Sequence, residues 1–583
     1  MLTSLLKSLF RSRLSIPAAA EPPGGAALDH AIAAWRQGDL PGAETGLRAI
    51  LRDQPRHAAA LANLGMVLCE RQRHDEGLAM LRQAVLIDPR MAGAHCNLGI
   101  ALAQGGLLEE ARQHLEEALR LEPGDGLYAN LLPIWQQICD WPALDRFVSE
   151  LRTLAAQSPA AAWAARLSPY AATLLPLGRT MNRAVADFHA ARMRAAHPPL
   201  EPSARTTRPA DGKLRIGYLS ADFHDHATAH LAVGLFAAHD KSRFEVTGYS
   251  YGPVDDSEYR RRIVAGCNAF VDVSMLGFRA TAQRIAQDGI DILVDLKGHT
   301  GGGRPEILAY RPAPIQVHFL GHPGTLGAGL ADYFITDPVA TPAGGEAEFS
   351  EQLVYLPASY QVNDVLHALP PAPERAALGL PEGAFVYCSF NQLYKIEPEI
   401  FSAWTRILRE VPDAVLWLLG SNPYAEARLR SGFEAAGIGR ERVLFAPNAP
   451  RNEHLARMRH AGLFLDTHYV NAHTSASDAL RAGVPLLTWP GKSFASRVGA
   501  SLLTGVGLAE LAVANAEDYV ELAVRLAREP DRLATLRARL VERAGTTLFD
   551  TQRHARNLEQ AYRAMWQRHL QGLPANAIRI DAA

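Results

Sequence analysis

The sequence predicts an α-helical solenoid followed by two doubly wound α/β domains, and three observations carry that reading. Prolines recur at Pro55, Pro89 and Pro123, 34 residues apart each time, a period at which helix pairs stack into a repeat array. From Lys213 onward, strand-like runs alternate with helical stretches, the pattern of βαβ units on a parallel sheet. The alternation halts at a Pro-rich linker, LPPAPERAALGLPEG at 369–383, and then restarts. The chain is 583 residues long, room for roughly three to five domains at about 100–200 residues each.

The repeat rests on three registered sets. Besides the prolines, Ala43, Gly77 and Ala111 keep the spacing, as do Leu47, Leu81 and Leu115. Leu64-Gly65 matches Leu98-Gly99 in the same register. Small residues at a close helix crossing, with Pro ending the second helix, describe the tetratricopeptide unit. Three such repeats are expected over 28–125, the first the weakest and a candidate cap. Asn63 and Asn97 recur at the period; they suit either an extended peptide backbone or a bond between helices. Residues 1–27 read as an N-terminal arm, since Lys7, Arg11 and Arg13 break the apolar stretch that a secretory segment needs. Residues 126–208 continue helical without register, as an irregular extension.

In the first α/β domain, 209–372, the strand runs are KLRIGYLS, FEVTGYS, FVDVS, IDILVDLKG, PIQVHFLG, DYFITD and EQLVYLP. In the second, 373–583, they are AFVYCSFN, AVLWLLG, RVLFAP, LFLDT and PLLTWPG. Two Rossmann-like domains in tandem place a ligand cleft between the carboxyl ends of two sheets. Nucleotide-sugar transferases of the GT-B type share this architecture, though fold by itself does not establish function.

Composition narrows the field. Lys plus Arg (59) nearly balance Asp plus Glu (61), for a net charge of −2, so no global field draws the chain to nucleic acid. No run reaches the roughly 18 apolar residues of a membrane span, so stable membrane insertion is not expected. The five cysteines are scattered without a C-x-x-C pair, which fits a reducing, cytoplasmic compartment. A G-x-G-x-x-G dinucleotide fingerprint is absent. There is also no Asp-x-Asp, so no metal is expected and a leaving diphosphate would depend on fixed donors.

Such donors cluster in the second α/β domain. Lys395, in CSFNQLYKIEP, stands where a helix is expected to begin, and an ammonium beside free backbone N–H groups suits an anion. His473, Thr474 and Ser475 precede a helix expected near Ser477, with Asp478 in its first turn; the same residues also read as a plain capping pattern. Arg451, His454 and Arg457 form a basic helix face. In the first domain, ADFHDHATAHL follows the first strand. His226 there is a cleft-lining imidazole suited to acid, base or hydrogen-bond roles. His224, His230, Asp222 and Asp225 have the spacing of a loop entering a helix rather than of a metal site.

At RPAPIQVHFLGHPGTLGA, FNQLYKIEP and HTSASDALRAGVPLLTWPGKSFASRVGASLL the chain resembles the O-GlcNAc transferase family, glycosyltransferase family 41, over most of 28–570. The resemblance implies that Lys395 contacts the donor diphosphate, with Gln392 beside it. It implies that Ala449, Arg451, His454 and Arg457 hold uracil and ribose, Arg451 replacing the usual lysine. His473, Thr474, Ser475 and Asp478 fall on the diphosphate and ribose loop, Ser475 replacing a threonine. His226 falls near the reacting centre, and Thr228 and Gly321 near the donor. Tyr170 and Ala171 stand where eukaryotic members carry a His-His pair, so acid–base chemistry on the acceptor side is expected to differ.

The resemblance thus implies an inverting, metal-independent transferase moving GlcNAc from UDP-GlcNAc to Ser or Thr hydroxyls of a protein held by the repeat groove. Alternatives are UDP-glucose to Asn, GDP-fucose to Ser or Thr, and a repeat scaffold with a vestigial cleft. No nucleic-acid partner is expected, and the solenoid leaves homodimer formation open.

Overall fold

Small residues at fixed spacing let helices cross closely, and the solenoid is built on that. In a computed structural model, residues 25–201, 212–364, 369–544 and 548–581 are described. The expected N-terminal arm lies outside them up to residue 24, as does most of the junction before Lys213. Helices α1 (Ala26–Arg36), α2 (Leu40–Asp53), α3 (Ala58–Glu70), α4 (His74–Ile87), α5 (Ala92–Gln104) and α6 (Leu108–Leu121) form three antiparallel pairs. A Cβ on Gly99 would lie 2.5 Å from Leu115 Cγ and 3.0 Å from the Ala111 carbonyl; Gly65 meets Leu81 and Gly77 in the same way. Gly99→Val should therefore cost about 1–3 kcal/mol by overpacking, read as a downward shift of the solenoid's thermal transition; an unchanged transition would show that the crossing is loose. Asn63 and Asn97 are buried, and the Asn63 amide donates to the Ala59 carbonyl at 2.8 Å. Neither is open to a peptide.

Residues 25–149 with 165–167 form one compact unit; 150–164 and 168–581 belong to a second. The second unit holds both α/β lobes, together with the helices Pro169–Thr173 and Arg179–Ala196.

The first sheet comprises β1 (Leu214–Ser220), β2 (Phe244–Ser250), β3 (Ala269–Asp272), β4 (Ile292–Asp295), β5 (Ile315–His318), β6 (Tyr333–Thr336) and β7 (Gln352–Tyr355). The second comprises β8 (Phe385–Ser389), β9 (Ala414–Leu419), β10 (Val443–Ala446), β11 (Leu463–Leu465) and β12 (Leu486–Leu487). Every strand run expected from the sequence is present, and all pairings are parallel. One strand was not expected. β13 (Ile578–Arg579), near the C-terminus, pairs with β7 and completes the order β13-β7-β6-β5-β4-β1-β2-β3. The second sheet runs β10-β9-β8-β11-β12. The central strands β4, β5 and β9 are buried along their whole length, as parallel strands covered on both faces must be.

Four further helices position the site: α7 (Ala227–Ala232) after β1, α8 (Arg451–Met458) after β10, α9 (Thr474–Arg481) after β11, and α10 (Thr551–Leu570). Helix α7 packs against α9, which brings the loop after β1 to the loop after β11. Helix α10 returns to the first lobe. The Tyr562 hydroxyl lies 3.1 Å from that of Tyr218, and Glu559 accepts from the Asp240 backbone N–H at 2.8 Å. Among the described residues, no helix is long and apolar enough to cross a membrane.

Candidate active site at the strand ends of two facing lobes

The strand ends of a parallel sheet are natural ligand sites because each loop there opens into a helix N-terminus. Lys395 lies in a single 3₁₀ turn, Leu393–Lys395, and the α-helix itself starts only at Pro398. Its ammonium donates to the Asn471 carbonyl at 2.9 Å. Asn471 is itself held, donating to the Thr467 carbonyl at 2.6 Å and accepting from the Gly499 N–H at 3.1 Å. Burial pushes Lys395 down to about 8, against the pull of Asp466 and Glu397. Those carboxyls are raised by burial to about 7 and about 8.

Helix α9 starts at Thr474, three residues earlier than the expected start near Ser477, with His473 as N-cap. The His473 side chain does not cap it; Nε2 donates to the Ala495 carbonyl at 3.2 Å instead. The first intrahelical bond from this end is Ser477 N–H to His473 carbonyl. The N–H groups of Thr474, Ser475 and Ala476 therefore have no partner in the helix, and the Lys395 charge lies close enough to the N-cap His473 to act on it. Ser477 is not the cap. Its hydroxyl is buried and accepts from Gln361 Nε2 at 2.6 Å. Asp478 is likewise buried, in an ion pair with Arg451 at 2.6 Å in which each side chain is 11% exposed. Arg451 also lies close to Tyr259 of the first lobe.

The basic face expected on α8 divides in two. Arg451 is an interlobe cation, whereas Arg457 is buried beneath the site and donates to the Pro447 carbonyl at 2.6 Å and to His454 Nδ1 at 2.8 Å. Burial lowers His454 to about 4. Its Nδ1 accepts, so the ring carries its proton on Nε2. Gln392 and Ala449 are half-buried at the rim.

On the facing lobe, His226 is the N-cap of α7, and its Nδ1 accepts from the Thr228 N–H at 3.2 Å. The Thr228 hydroxyl donates to Asp222 Oδ2 at 3.1 Å, and Lys297 Nζ donates to Asp222 Oδ1 at 2.6 Å. His226 is lowered by burial to about 4, Asp222 pulling upward and Lys297 downward. At neutral pH His226, His454 and His473, itself lowered to about 3, are neutral imidazoles. The site's cations include Lys395 and Arg451, with Arg457 and Lys297 packed beneath it. The other residues around His226 serve each other: His230 Nε2 of α7 meets Asp225 at 2.6 Å, and Asp255 accepts from the Asp225 N–H. Among the described residues, no group of three or more His, Cys, Asp or Glu is arranged to hold a metal. Gly321 packs on the backbone of Leu296 and Lys297, where a Cβ would collide with the Leu296 carbonyl.

Tyr170 reaches the same region. Its hydroxyl lies 3.1 Å from that of Tyr394, the neighbour of Lys395, and its ring lies edge-on to His322. Burial raises the phenol above its ordinary range, so it is a hydrogen-bonding strut rather than an acid or base at neutral pH. The element the sequence did not reveal is Lys297, which lies 75 residues from Asp222 in the chain. Its only signal was that it is one of six lysines.

Residues 138–378 and 370–558 match the family model described as Glycosyl transferase family 41. The chain belongs to glycosyl transferase family 41. Tetratricopeptide repeat models match 28–87 and 68–132 of this family member. It is 37% identical over 458 residues to the probable UDP-N-acetylglucosamine–peptide N-acetylglucosaminyltransferase SEC of Arabidopsis thaliana, covering 76% of the chain and 47% of SEC. It is 30% identical over 564 residues to the Caenorhabditis elegans UDP-N-acetylglucosamine–peptide N-acetylglucosaminyltransferase, covering 76% of the chain and 49% of that protein. The chain thus spans about half the length of these curated relatives. Among solved structures, a lysine-to-methionine mutant of the Thermobaculum terrenum O-GlcNAc transferase aligns with a TM-score of 0.69 and 29% identity, covering 94% of this chain and 98% of that one. The family 41 assignment covers both lobes on which the site residues lie.

Proposed function

We propose that this family 41 protein transfers GlcNAc from UDP-GlcNAc to Ser or Thr hydroxyls of proteins, with inversion and without a metal. The observation that carries the reading is the pairing of Lys395 with the open N-terminus of α9, an anion site built from one ammonium and three unspent backbone N–H groups. The names of the relatives support the donor and the acceptor class. In the transfer, the acceptor oxygen bonds to the anomeric carbon as the bond to the β-phosphate oxygen breaks. The electron pair leaves on UDP, and the hydroxyl proton passes to solvent water. Lys395 and the α9 N–H groups hold the growing phosphate charge, the kind of preorganised stabilisation that dominates many enzymes. His226, with its proton on Nε2, serves as a hydrogen-bond donor at the centre. The repeats supply the protein-binding surface, and the place of action is the cytoplasm.

The test is a thermal-shift panel with UDP-GlcNAc, UDP-glucose, GDP-fucose, UDP and GDP, each with and without chelator. A ligand at 100 times its Kd stabilises by about 2.7 kcal/mol. UDP and UDP-GlcNAc are expected to raise the transition of the α/β unit equally with and without chelator. A shift with GDP alone would point to a fucosyl donor, loss of the shift on chelation would overturn the metal-independent reading, and no shift at all would leave a repeat scaffold.

A further inference from the structure

A buried lysine beneath a catalytic loop is costly unless it is paired, and Lys297 is paired with one residue. It is 6% exposed and Asp222 is 3% exposed, on the loops after the adjacent strands β4 and β1. Asp222 therefore has three neighbours and two oxygens. Lys297 takes Oδ1 at 2.6 Å, the Thr228 hydroxyl takes Oδ2 at 3.1 Å, and His226 Nδ1 stands 3.4 Å from Oδ2. His226 Nδ1 has a nearer donor, the Thr228 N–H at 3.2 Å.

Two arrangements of the ring compete here. If Nδ1 carries the proton and gives it to Asp222, the pair forms a carboxylate–imidazole dyad whose Nε2 is a basic acceptor. If Nδ1 accepts from Thr228, the proton is on Nε2 and the ring is a donor. An Asp222 charge already matched by an ammonium is a weak partner for an imidazolium, so the second arrangement prevails.

We propose that Lys297 is a positioning residue for the transfer: by occupying Asp222 it leaves His226 bonded to the Thr228 backbone and sets the imidazole as a neutral hydrogen-bond donor instead of a general base. This rests on the transfer reading above only for its catalytic meaning; the coupling itself is a property of the free protein. The other charged and titratable groups around His226 do not replace Lys297. His224 flanks it on its own loop and His230 lies one turn on in α7, engaged by Asp225. Tyr259 packs tilted against His230 from the helix Glu258–Gly266, while Asp478 on α9 and Arg451 on α8 neutralise one another.

The test reads His226 directly. Diethyl pyrocarbonate acylates only neutral imidazole nitrogen, and the His226 side chain is 35% exposed. Peptide mapping by mass spectrometry gives its modification rate between about pH 5 and pH 8, the span in which an ordinary imidazole titrates. In the wild type, the rate relative to a free histidine standard should show His226 neutral throughout. In Lys297→Met the midpoint should rise by at least about one pH unit, because Asp222 then pairs with the imidazolium, and kcat should acquire the same new pH dependence. Lys297→Arg should restore the wild-type profile, and so should Asp222→Asn with Lys297→Met, which removes both charges. Superimposable profiles for the wild type and Lys297→Met would overturn the proposal. Should that variant fail to fold, a raised midpoint in the charge-free double variant, or in Lys297→Arg, would overturn it equally. A shifted His226 profile in a protein that binds no UDP compound would reject the transfer reading and keep the coupling.

Discussion

Lys395→Met should reduce kcat/KM for UDP-GlcNAc by about 10²–10³, the usual cost of one preorganised donor to a developing oxyanion, while leaving the fold intact. Near-normal turnover would remove Lys395 from the mechanism. The fold should survive because the ammonium makes one hydrogen bond, to the Asn471 carbonyl, and the neighbouring carboxyls Asp466 and Glu397 are already pushed toward their neutral forms by burial. Methionine removes a charge from a buried place and keeps most of the volume.

The same lysine gives donor binding a pH dependence. Burial holds it at about 8, below its ordinary value, so it is charged below that pH and neutral above it. An anionic diphosphate favours the charged form, so UDP affinity should fall as pH rises through about 8, and binding above that pH should take up a proton. Asp466 and Glu397 titrate in the same range and belong to one coupled cluster. Their growing negative charge delays loss of the lysine proton without reversing the trend. Calorimetry of UDP binding in buffers of different ionisation enthalpy reads the proton uptake, and Lys395→Met should abolish it.

Arg451→Ala should lower the stability of the α/β unit by about 3–5 kcal/mol, the range for removing one partner of a buried ion pair, and should also remove the UDP-induced thermal shift. Asp478 would be left charged and 11% exposed, with its guanidinium gone. Its proximity to Tyr259 across the lobes would go as well. Arg451→Lys is informative because a compact ammonium does not reproduce the geometry of the planar guanidinium on Asp478. It should keep the UDP shift and melt lower than the wild type. Equal melting of all three proteins would show that the pair adds nothing to stability.

Much of this molecule was legible in one sequence because its signals were periodic or local. The register of Pro55, Pro89 and Pro123 survives any detail of packing. The strand runs are short apolar segments bounded by turn residues, and each became a strand. What escaped was of another kind. The start of α9 was misplaced toward Ser477 because capping rules look for a hydroxyl that satisfies the first turn. Here the first turn is left unsatisfied, with His473 turned to Ala495 and Ser477 to Gln361. A local rule failed where an anion site needs it to fail. Arg457 and Arg451 look alike in sequence, and only tertiary packing buries one under the site and sends the other across the lobes. The Lys297–Asp222 pair escaped because a doubly wound order puts β4 beside β1 without saying which side chains of the two following loops meet.

The last described segment has a consequence for the order in which the molecule can be made. The first sheet is finished by β13, drawn from Ile578–Arg579, and its buried Tyr218 and His239 meet Tyr562 and Glu559 of α10. The second lobe lies between these and β7 in the chain. A growing chain can therefore complete the second lobe while the first still has an exposed sheet edge at β7 and an uncovered polar pair at Tyr218 and His239. An unpaired edge of that kind invites contact with other chains. The lobe that begins first is closed last.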